Sequence, residues 1–599
     1  MSSVIVLRLE ALRRVMRERG IEACVVPTSD PHLSEYLPQR WQAREWLSGF
    51  SGSAGTLVLS QSFAGLWTDS RYWEQADAEL QGTGIDTMRA GQAGVPTPSA
   101  WVVEHLPQGA CVAIDGQVLS VQAWRQWQDA CRPAGLRLAT DYDLPGLVWE
   151  DRPGLPVGTV TAHEPPWACR SRSENLAAIR SAMLEHNAQW HIVSALDDVA
   201  WIFNLRGTDI PYNPVFLAHA LIGRDSAVLF VEPHKLSDEL KTELAAEGIT
   251  LAPYDEVVAI LAGLPETDRL LFDPARVTIG LLDVAVDVGK VEAVNPAHLL
   301  KSRKNEAEIA NVRRVMEEDG AALCEFFAWF EAAQGRERIT ELTIDERITA
   351  ARARRPGFVS PSFGTIAAYN ANGAMPHYHA TESAHAVIEG DGLLLIDSGG
   401  QYLGGTTDIT RVVPVGQVSD EQKRDYTAVL QGMIGLSQAV FPNELPAYAL
   451  DALARAPVWR LGADYGHGTG HGVGYFMNVH EGPQSISWRG TANPHALMRA
   501  GMITSNEPGL YRPGRWGIRI ENLVLARPHV TTEFGDFLSF ETLTLCPIDT
   551  RCIDASLLSA AEISWLDAYH AQVRERLAPL VQGSALEWLE RRTRPLAPA

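Results

Sequence analysis

A helical spacing of apolar residues that runs into a short β-branched segment occurs twice in the first half of the chain. LEALRRVMRERGIEACVVPTSD (Leu9 to Asp30) lines up without gaps on LAAIRSAMLEHNAQWHIVSALD (Leu176 to Asp197). Leu9 falls on Leu176, Leu12 on Ile179, Arg13 on Arg180, Met16 on Met183, and Val25-Val26 on Ile192-Val193. Apolar residues three or four apart give a helix one buried face, and the β-branched pair predicts a buried strand after it. Each copy continues into further strand-like pieces, GTLVLS and AGLWTDSRY in the first and AVLFVEP in the second. Two related α/β domains follow from this repeat. The Pro-containing piece VGTVTAHEPPW (Val157 to Trp167) predicts the linker between them.

The pattern changes near residue 302. Ser302 to Glu306 opens a long amphipathic helix with Ile309, Val312, Val315 and Met316 on one face. From there to about residue 530, strand-like and helical segments alternate with Gly-rich turns. FLSFETLTLCPID (Phe537 to Asp549) predicts a strand. Ser559 with Glu562 makes a capping box for a helix on which Trp565, Tyr569, Val573 and Leu577 recur every fourth residue. That stripe predicts packing or a subunit contact, and its aromatic content favours the core of a homodimer interface. A short amphipathic piece, ALEWLERR, closes the pattern.

Composition narrows the class. A chain of 599 residues is too long for one core, so three or more domains are expected. A hydrophobic share of 46% with 21% charged residues belongs to a soluble globular protein. The net charge of −22, without a Lys/Arg-rich run, argues against nucleic acid or an anionic membrane as partner. Seven scattered cysteines with no C-x-x-C spacing predict reduced core thiols and a cytoplasmic protein. MSSVIVLRLEALRR mixes charges into its apolar stretch and does not read as a signal peptide, and no apolar run reaches the length of a membrane span.

The chemistry centres on Gly466 to His480, GHGTGHGVGYFMNVH, where His467, His471 and His480 stand among five glycines. Histidine is the commonest neutral metal ligand, and glycine admits close backbone approach. Alone, such a loop also fits a mobile surface turn. Its neighbours change that: Asp397 ends the apolar run GLLLID, Asp408 lies in GGTTDITR, Glu507 in TSNEPGLY and Glu521 in GIRIENLVL. Carboxylates beside short buried strands need a cation. Four of them with one imidazole favour hard or borderline divalent ions over a thiolate zinc site. Two cations sharing a water would balance the charge, and their Lewis acidity would bring that water's pKa toward neutrality. The competing reading pairs some of these acids with Arg411 or Arg519. Arg519, two residues before Glu521, would share its face in a strand and orient that glutamate.

These motifs together resemble the pita-bread metallopeptidases, and within them the long, three-domain Xaa-Pro aminopeptidases (aminopeptidase P). SDPHLSEY, GFSGSAGTLVL and WTDSRYW resemble the first domain of that family. AAYNANGAMPHYH, DSGGQYLGGTTDITR, GHGTGHGVG, NEPG and GIRIEN resemble its catalytic domain, and FETLTLCPID with WLDAYH its C-terminal extension. The resemblance implies an α/β (α+β) chain: creatinase-like domains over 1–160 and 161–303, a pita-bread catalytic domain over 304–535, and a C-terminal extension over 536–599. It also implies two divalent ions, commonly Mn²⁺, and hydrolysis of the bond before a penultimate proline.

By the same resemblance Asp397 binds one ion, Asp408 and Glu521 bridge both, and His471 and Glu507 bind the other. Glu507 also shuttles a proton. His377 in PHYH sits near the scissile bond, His480 faces the proline, and His467 lies on the substrate side. All three also fit hydrogen-bonded structural histidines. Glu35 in SEY is placed near the peptide's amino terminus, or on a surface loop. A proline nitrogen lacks the N–H that general peptidases use, which gives such an enzyme its niche. The alternatives are a prolidase restricted to dipeptides and an inactive module that binds peptides or protein partners, a reading that predicts lost ligands where this sequence keeps all five.

Overall fold

A computed structural model describes residues 2–489 and 493–596. The chain forms two compact units, Met1–Glu164 with Arg170–Leu299, and Pro165–Cys169 with Leu300–Ala599.

The first unit holds two six-stranded sheets of the same design. One runs Asp86–Arg89, Ala64–Thr68, Thr56–Ser60, Ala23–Pro27, Cys111–Ile114, Arg137–Ala139 across the sheet. The other runs Ile249–Ala252, Ala227–Phe230, His219–Gly223, Trp190–Val193, Arg269–Phe272, Gly289–Glu292. In each, the β-branched strand of the repeat is central, antiparallel to the next strand of its own sheet and parallel to the strand on its other side. The helices Ser2–Glu18 and Arg172–Glu185 bury the predicted faces, Leu9, Leu12 and Met16 in one and Leu176, Ile179 and Met183 in the other. The aligned arginines share a task. Arg13 donates to the carbonyls of Ser60 (2.9 Å) and Phe63 (3.3 Å), and Arg180 to those of Gly223 and Ser226 (both 3.1 Å). Each guanidinium closes the turn between the second and third strands of its own copy.

The predicted linker is more structured than its prolines suggest. Val160–Ala162 is a strand paired with Leu205–Gly207. Residues 165–169 belong with the second unit, where Asn311 Nδ2 donates to the Pro166 carbonyl (3.3 Å) and the Tyr475 hydroxyl to that of Trp167 (2.9 Å). Proline excludes helix, but it suits an extended segment with outward carbonyls.

In the second unit, Asn305 caps the helix Glu306–Ala333 in a capping box with Glu308, and Ile309, Val312, Val315 and Met316 are buried. A second helix, Glu341–Arg352, follows, then an antiparallel sheet of Ile366–Tyr369, Gly392–Ser398 and Ile409–Val415. The motif recurs as the helices Asp420–Ser437 and Asp451–Arg460 with the sheet Val440–Pro442, Gly535–Thr542, Asn522–Thr532 and Ile503–Asn506. Two helix pairs each backing a sheet make the pseudo-two-fold pita-bread arrangement.

Two expectations change at the C-terminal end. The strand expected over Phe537 to Asp549 stops at Thr542. The helix Ala560–Leu577 has its Ser559–Glu562 capping box, but its stripe faces the chain's own core. Tyr569, Val573 and Leu577 are buried, and Trp565 stacks on Tyr569 with ring centroids 5.4 Å apart. The Tyr569 hydroxyl donates to the Cys546 carbonyl (2.9 Å) and accepts from Arg411 (3.0 Å). Periodicity marks an apolar face without saying what covers it. Here the same subunit does, and the stripe no longer supports a homodimer. All seven cysteines are free, and among the described residues no helix is long and apolar enough to cross a membrane.

Candidate metal centre

The four acids singled out in the sequence all stand at a strand end. Asp397 is the penultimate residue of Gly392–Ser398, opposite Thr410, and Asp408 immediately precedes Ile409–Val415. Glu507 immediately follows Ile503–Asn506, and Glu521 immediately precedes Asn522–Thr532. The strand bodies are buried, and the side chains at their ends meet in one cluster. Atoms of Asp408, His471 and Glu521 lie within 4.8 Å of one another, close enough to share an ion. His471 Nε2 is 3.3 Å from Glu507 Oε1 and 3.6 Å from Asp408 Oδ2. Asp397 joins through Arg519, whose Nη2 lies 2.5 Å from Asp397 Oδ2.

Glycine and serine bring the histidine limb in. A Cβ at Gly470 would sit 1.9 Å from the Ser505 carbonyl oxygen, and one at Gly472 would sit 2.0 Å from that of Glu481. Only glycine lets those backbones meet. The Ser505 hydroxyl accepts from the His471 N–H (2.9 Å) and donates to Glu507 Oε1 (3.0 Å), orienting two candidate ligands at once. His471 Nδ1 faces the Gly472 carbonyl at 3.0 Å. A carbonyl only accepts, so Nδ1 carries the proton and Nε2 turns its lone pair toward the acids.

The electrostatics call for cations. Burial first, then Asp397 and Glu507, push the Asp408 carboxyl well above the ordinary range. Burial and then Asp408, Glu507 and Asp397 do the same to Glu521. Burial raises Glu507 to about 7 against the opposing pull of Arg519. Asp397 Oδ1 and Glu521 Oε1 are buried without a hydrogen-bond partner among the described residues. Buried acceptor atoms left unpaired are costly, and one guanidinium does not neutralise four carboxylates. An oxygen-rich set with one imidazole lone pair fits divalent cations.

A pH dependence follows. In the cation-free folded protein Glu507 titrates near 7, above its ordinary value of 4.5. A raised folded pKa favours the protonated form. That stability is complete below about pH 4.5 and is lost as pH rises through about 7. Cations reverse this by holding the ionised form. The difference in Tm between cation-loaded and chelator-stripped protein should therefore widen from about pH 5 to about pH 8. A constant difference across that range would refute the coupling.

The other predicted residues divide. His480 packs edge-on against His471, ring centroids 4.3 Å apart. His467 is tied into the same network through a residue that the sequence reading missed. Its Nδ1 donates to the Gly468 carbonyl (2.7 Å), so Nε2 accepts from the Tyr511 hydroxyl (2.7 Å). Tyr511 in turn accepts from Arg519 Nη1 (2.7 Å). His377 is half-buried and follows Pro376, whose carbonyl accepts from Arg519 Nη2 (3.4 Å). Glu35 lies in the first unit, exposed, on a loop near enough to Arg71 for its charge to act there.

Arg519 differs from its expected role. It pairs with Asp397, and its hydrogen-bonded link to Glu521 runs through Thr410, whose hydroxyl accepts from Arg519 Nε (3.1 Å) and donates to Glu521 Oε2 (2.8 Å). The strand Trp516–Arg519 ends before Glu521, so two-residue alternation does not apply. Arg411 pairs with none of the four acids. It is buried and donates to the carbonyls of Glu521 (2.6 Å), Cys546 (2.8 Å) and Pro547 (3.1 Å). Thr410 and Ser505 were also missed; strand hydroxyls are too common for spacing to single out.

Fold and donor set define the class, a metallopeptidase. The sequence model of metallopeptidase family M24 matches residues 310–528. The creatinase/prolidase N-terminal domain matches twice, at 8–152 and 151–308, and the C-terminal region of the M24 peptidases matches 536–596. Aminopeptidase P2 of Arabidopsis thaliana is 38% identical over 98% of this chain and 88% of its own. Xaa-Pro aminopeptidase 1 of Dictyostelium discoideum is 37% identical over 98% and 96%. The crystal structure of an X-prolyl aminopeptidase from Caenorhabditis elegans, described as a cytosolic enzyme with a di-nuclear active site, superposes with a TM-score of 0.94. It covers 99% of this chain and 100% of that one at 31% identity. The chain belongs to the Xaa-Pro aminopeptidase (aminopeptidase P) family of M24 metallopeptidases.

Proposed function

We propose that this protein is a metal-dependent aminopeptidase that releases the first residue from peptides with proline in second position. The observation that carries the reading is the convergence of Asp397, Asp408, His471, Glu507 and Glu521, with buried carboxylate oxygens left without hydrogen-bond partners among the described residues. Asp408 and Glu521 would bridge two ions, Asp397 would bind one, and His471 with Glu507 the other. Mn²⁺ suits this hard, oxygen-rich set. Bound cations would supply Lewis acidity, polarising the scissile carbonyl and activating water.

The chain's own residues do the rest. Ser505 orients Glu507 and His471, so the carboxylate is placed to take a proton and pass it to the departing proline nitrogen. Arg519 holds Asp397 while Tyr511 carries that order to His467. His377, His467 and His480 would line the substrate side. Free cysteines and the cytosolic description of the Caenorhabditis elegans enzyme support a cytoplasmic setting.

Near-complete coverage of the aminopeptidases favours this activity over that of a prolidase. The test is hydrolysis of an X-Pro dipeptide and a longer X-Pro peptide after dialysis, with and without Mn²⁺. Mn²⁺-dependent cleavage of the longer peptide is expected. Cleavage of the dipeptide alone would make the protein a prolidase, and no cleavage of either would leave a peptide-binding module.

A further inference from the structure

Glu341 opens the helix Glu341–Arg352 and is fully buried. None of the five candidate ligands touches it, and no cation lies within ion-pairing distance among the described residues. Its charge is met by neutral donors instead. Oε1 accepts from the Tyr369 N–H (2.7 Å) and from Asn372 Nδ2 (2.9 Å). Oε2 accepts from the Tyr378 hydroxyl (2.9 Å) and from the Ala386 N–H (2.6 Å). The helix N-terminus adds a favourable field, and Thr340 caps it.

These four donors share one feature. Tyr369 ends the strand Ile366–Tyr369, whose Ile366 lies opposite Asp397, and Ala386 is where the chain returns. Thr340 bridges Val387, and Ile388 donates to the Ile339 carbonyl (2.9 Å), so the return is stitched to the segment leading into Glu341. Asn372 and Tyr378 lie on the excursion between, which carries His377. One carboxylate therefore holds both ends of the loop and two points along it. His377 is clamped on either side: the Pro376 carbonyl rests on Arg519, and the Tyr378 hydroxyl rests on Glu341.

The geometry points to Glu341 as the positioning residue that sets His377 against the substrate, acting through the loop and not through the metal. This rests on the reading above that His377 meets the substrate. A carboxylate is required because all four partners donate. An amide in its place turns an NH₂ group toward donors that need an acceptor.

The test is a double-mutant cycle in Mn²⁺-loaded protein, with an X-Pro peptide as substrate. Glu341→Gln should keep metal content and lower kcat/KM by about 10- to 100-fold, the scale of a displaced reacting geometry. In the His377→Ala background the same substitution should add less than about threefold, because the group it positions is gone. Equal losses in both backgrounds, or a folded Glu341→Gln protein with unchanged kcat/KM, overturn the inference alone. A His377→Ala protein with unchanged kcat/KM overturns the role of His377 and this inference with it. If Glu341→Gln does not fold, Tyr378→Phe decides, since it removes one donor and leaves three. It should cost about 3- to 10-fold, again only while His377 is present. Unchanged kcat/KM in Tyr378→Phe overturns the inference.

Discussion

Replacing Asp408 by alanine should remove bound metal and peptide hydrolysis together, with activity falling by more than about 10³-fold. Asp408 Oδ2 faces His471, and an atom of each of these residues lies within 4.8 Å of one from Glu521, so this carboxylate belongs to the cluster that could hold an ion. In the assignment proposed above Asp408 would serve both ions, and its loss would leave neither site complete. Stability separates this from simple unfolding. Burial and the charges of Asp397 and Glu507 make the Asp408 carboxylate unfavourable without cations. The metal-free variant should therefore be at least as stable as metal-free wild type, since one repelling group is gone. What it should lose is the gain in Tm on adding Mn²⁺. Metal analysis with and without chelator, beside turnover, checks both parts. Two tightly held ions with wild-type turnover would sink the ligand assignment.

His480→Ala should behave in the opposite way, keeping its metal and losing about 10²-fold in kcat/KM, the range for a positioned proton-transfer or charge-stabilising group. Its ring packs edge-on against His471 at 4.3 Å between centroids, beside the ligand cluster. The cluster of Asp408, His471 and Glu521 forms without it. Alanine removes an imidazole from beside His471 but leaves the His471 main chain held by Ser505. Equal metal content in variant and wild type is the control. A variant purified without metal would make His480 a ligand and reverse its assigned role.

Much of this molecule is legible in its sequence. Leu9, Leu12 and Met16 aligned on Leu176, Ile179 and Met183 announce two copies of one helix-to-strand unit, and both copies build sheets of identical order. The aligned pair Arg13 and Arg180 even close equivalent turns. The amphipathic pattern from Ile309 and the capping box of Ser559 with Glu562 likewise place the starts of the helices Glu306–Ala333 and Ala560–Leu577 to within a few residues. These are local matters, fixed by periodicity and by which groups can bond to nearby backbone. The acids Asp397, Asp408, Glu507 and Glu521 stand out for the same kind of reason: charge beside apolar strands needs an explanation that a surface position does not supply.

Tertiary structure alone decided who meets whom. Arg519 turns to Asp397 rather than Glu521, because its strand ends between the two residues. Tyr511 links Arg519 to His467 across a hairpin, a contact that no spacing encodes. The Trp565 to Leu577 stripe is apolar whether a partner or its own core covers it, and only the packed chain shows the core. Glu341, which no sequence motif marks, becomes the hub of the His377 loop once residues 28 to 45 positions away donate to it. Sequence pattern sets what each face of an element needs; the fold sets which distant group supplies it, because hydrogen bonds and ion pairs act over ångströms in space and not along the chain.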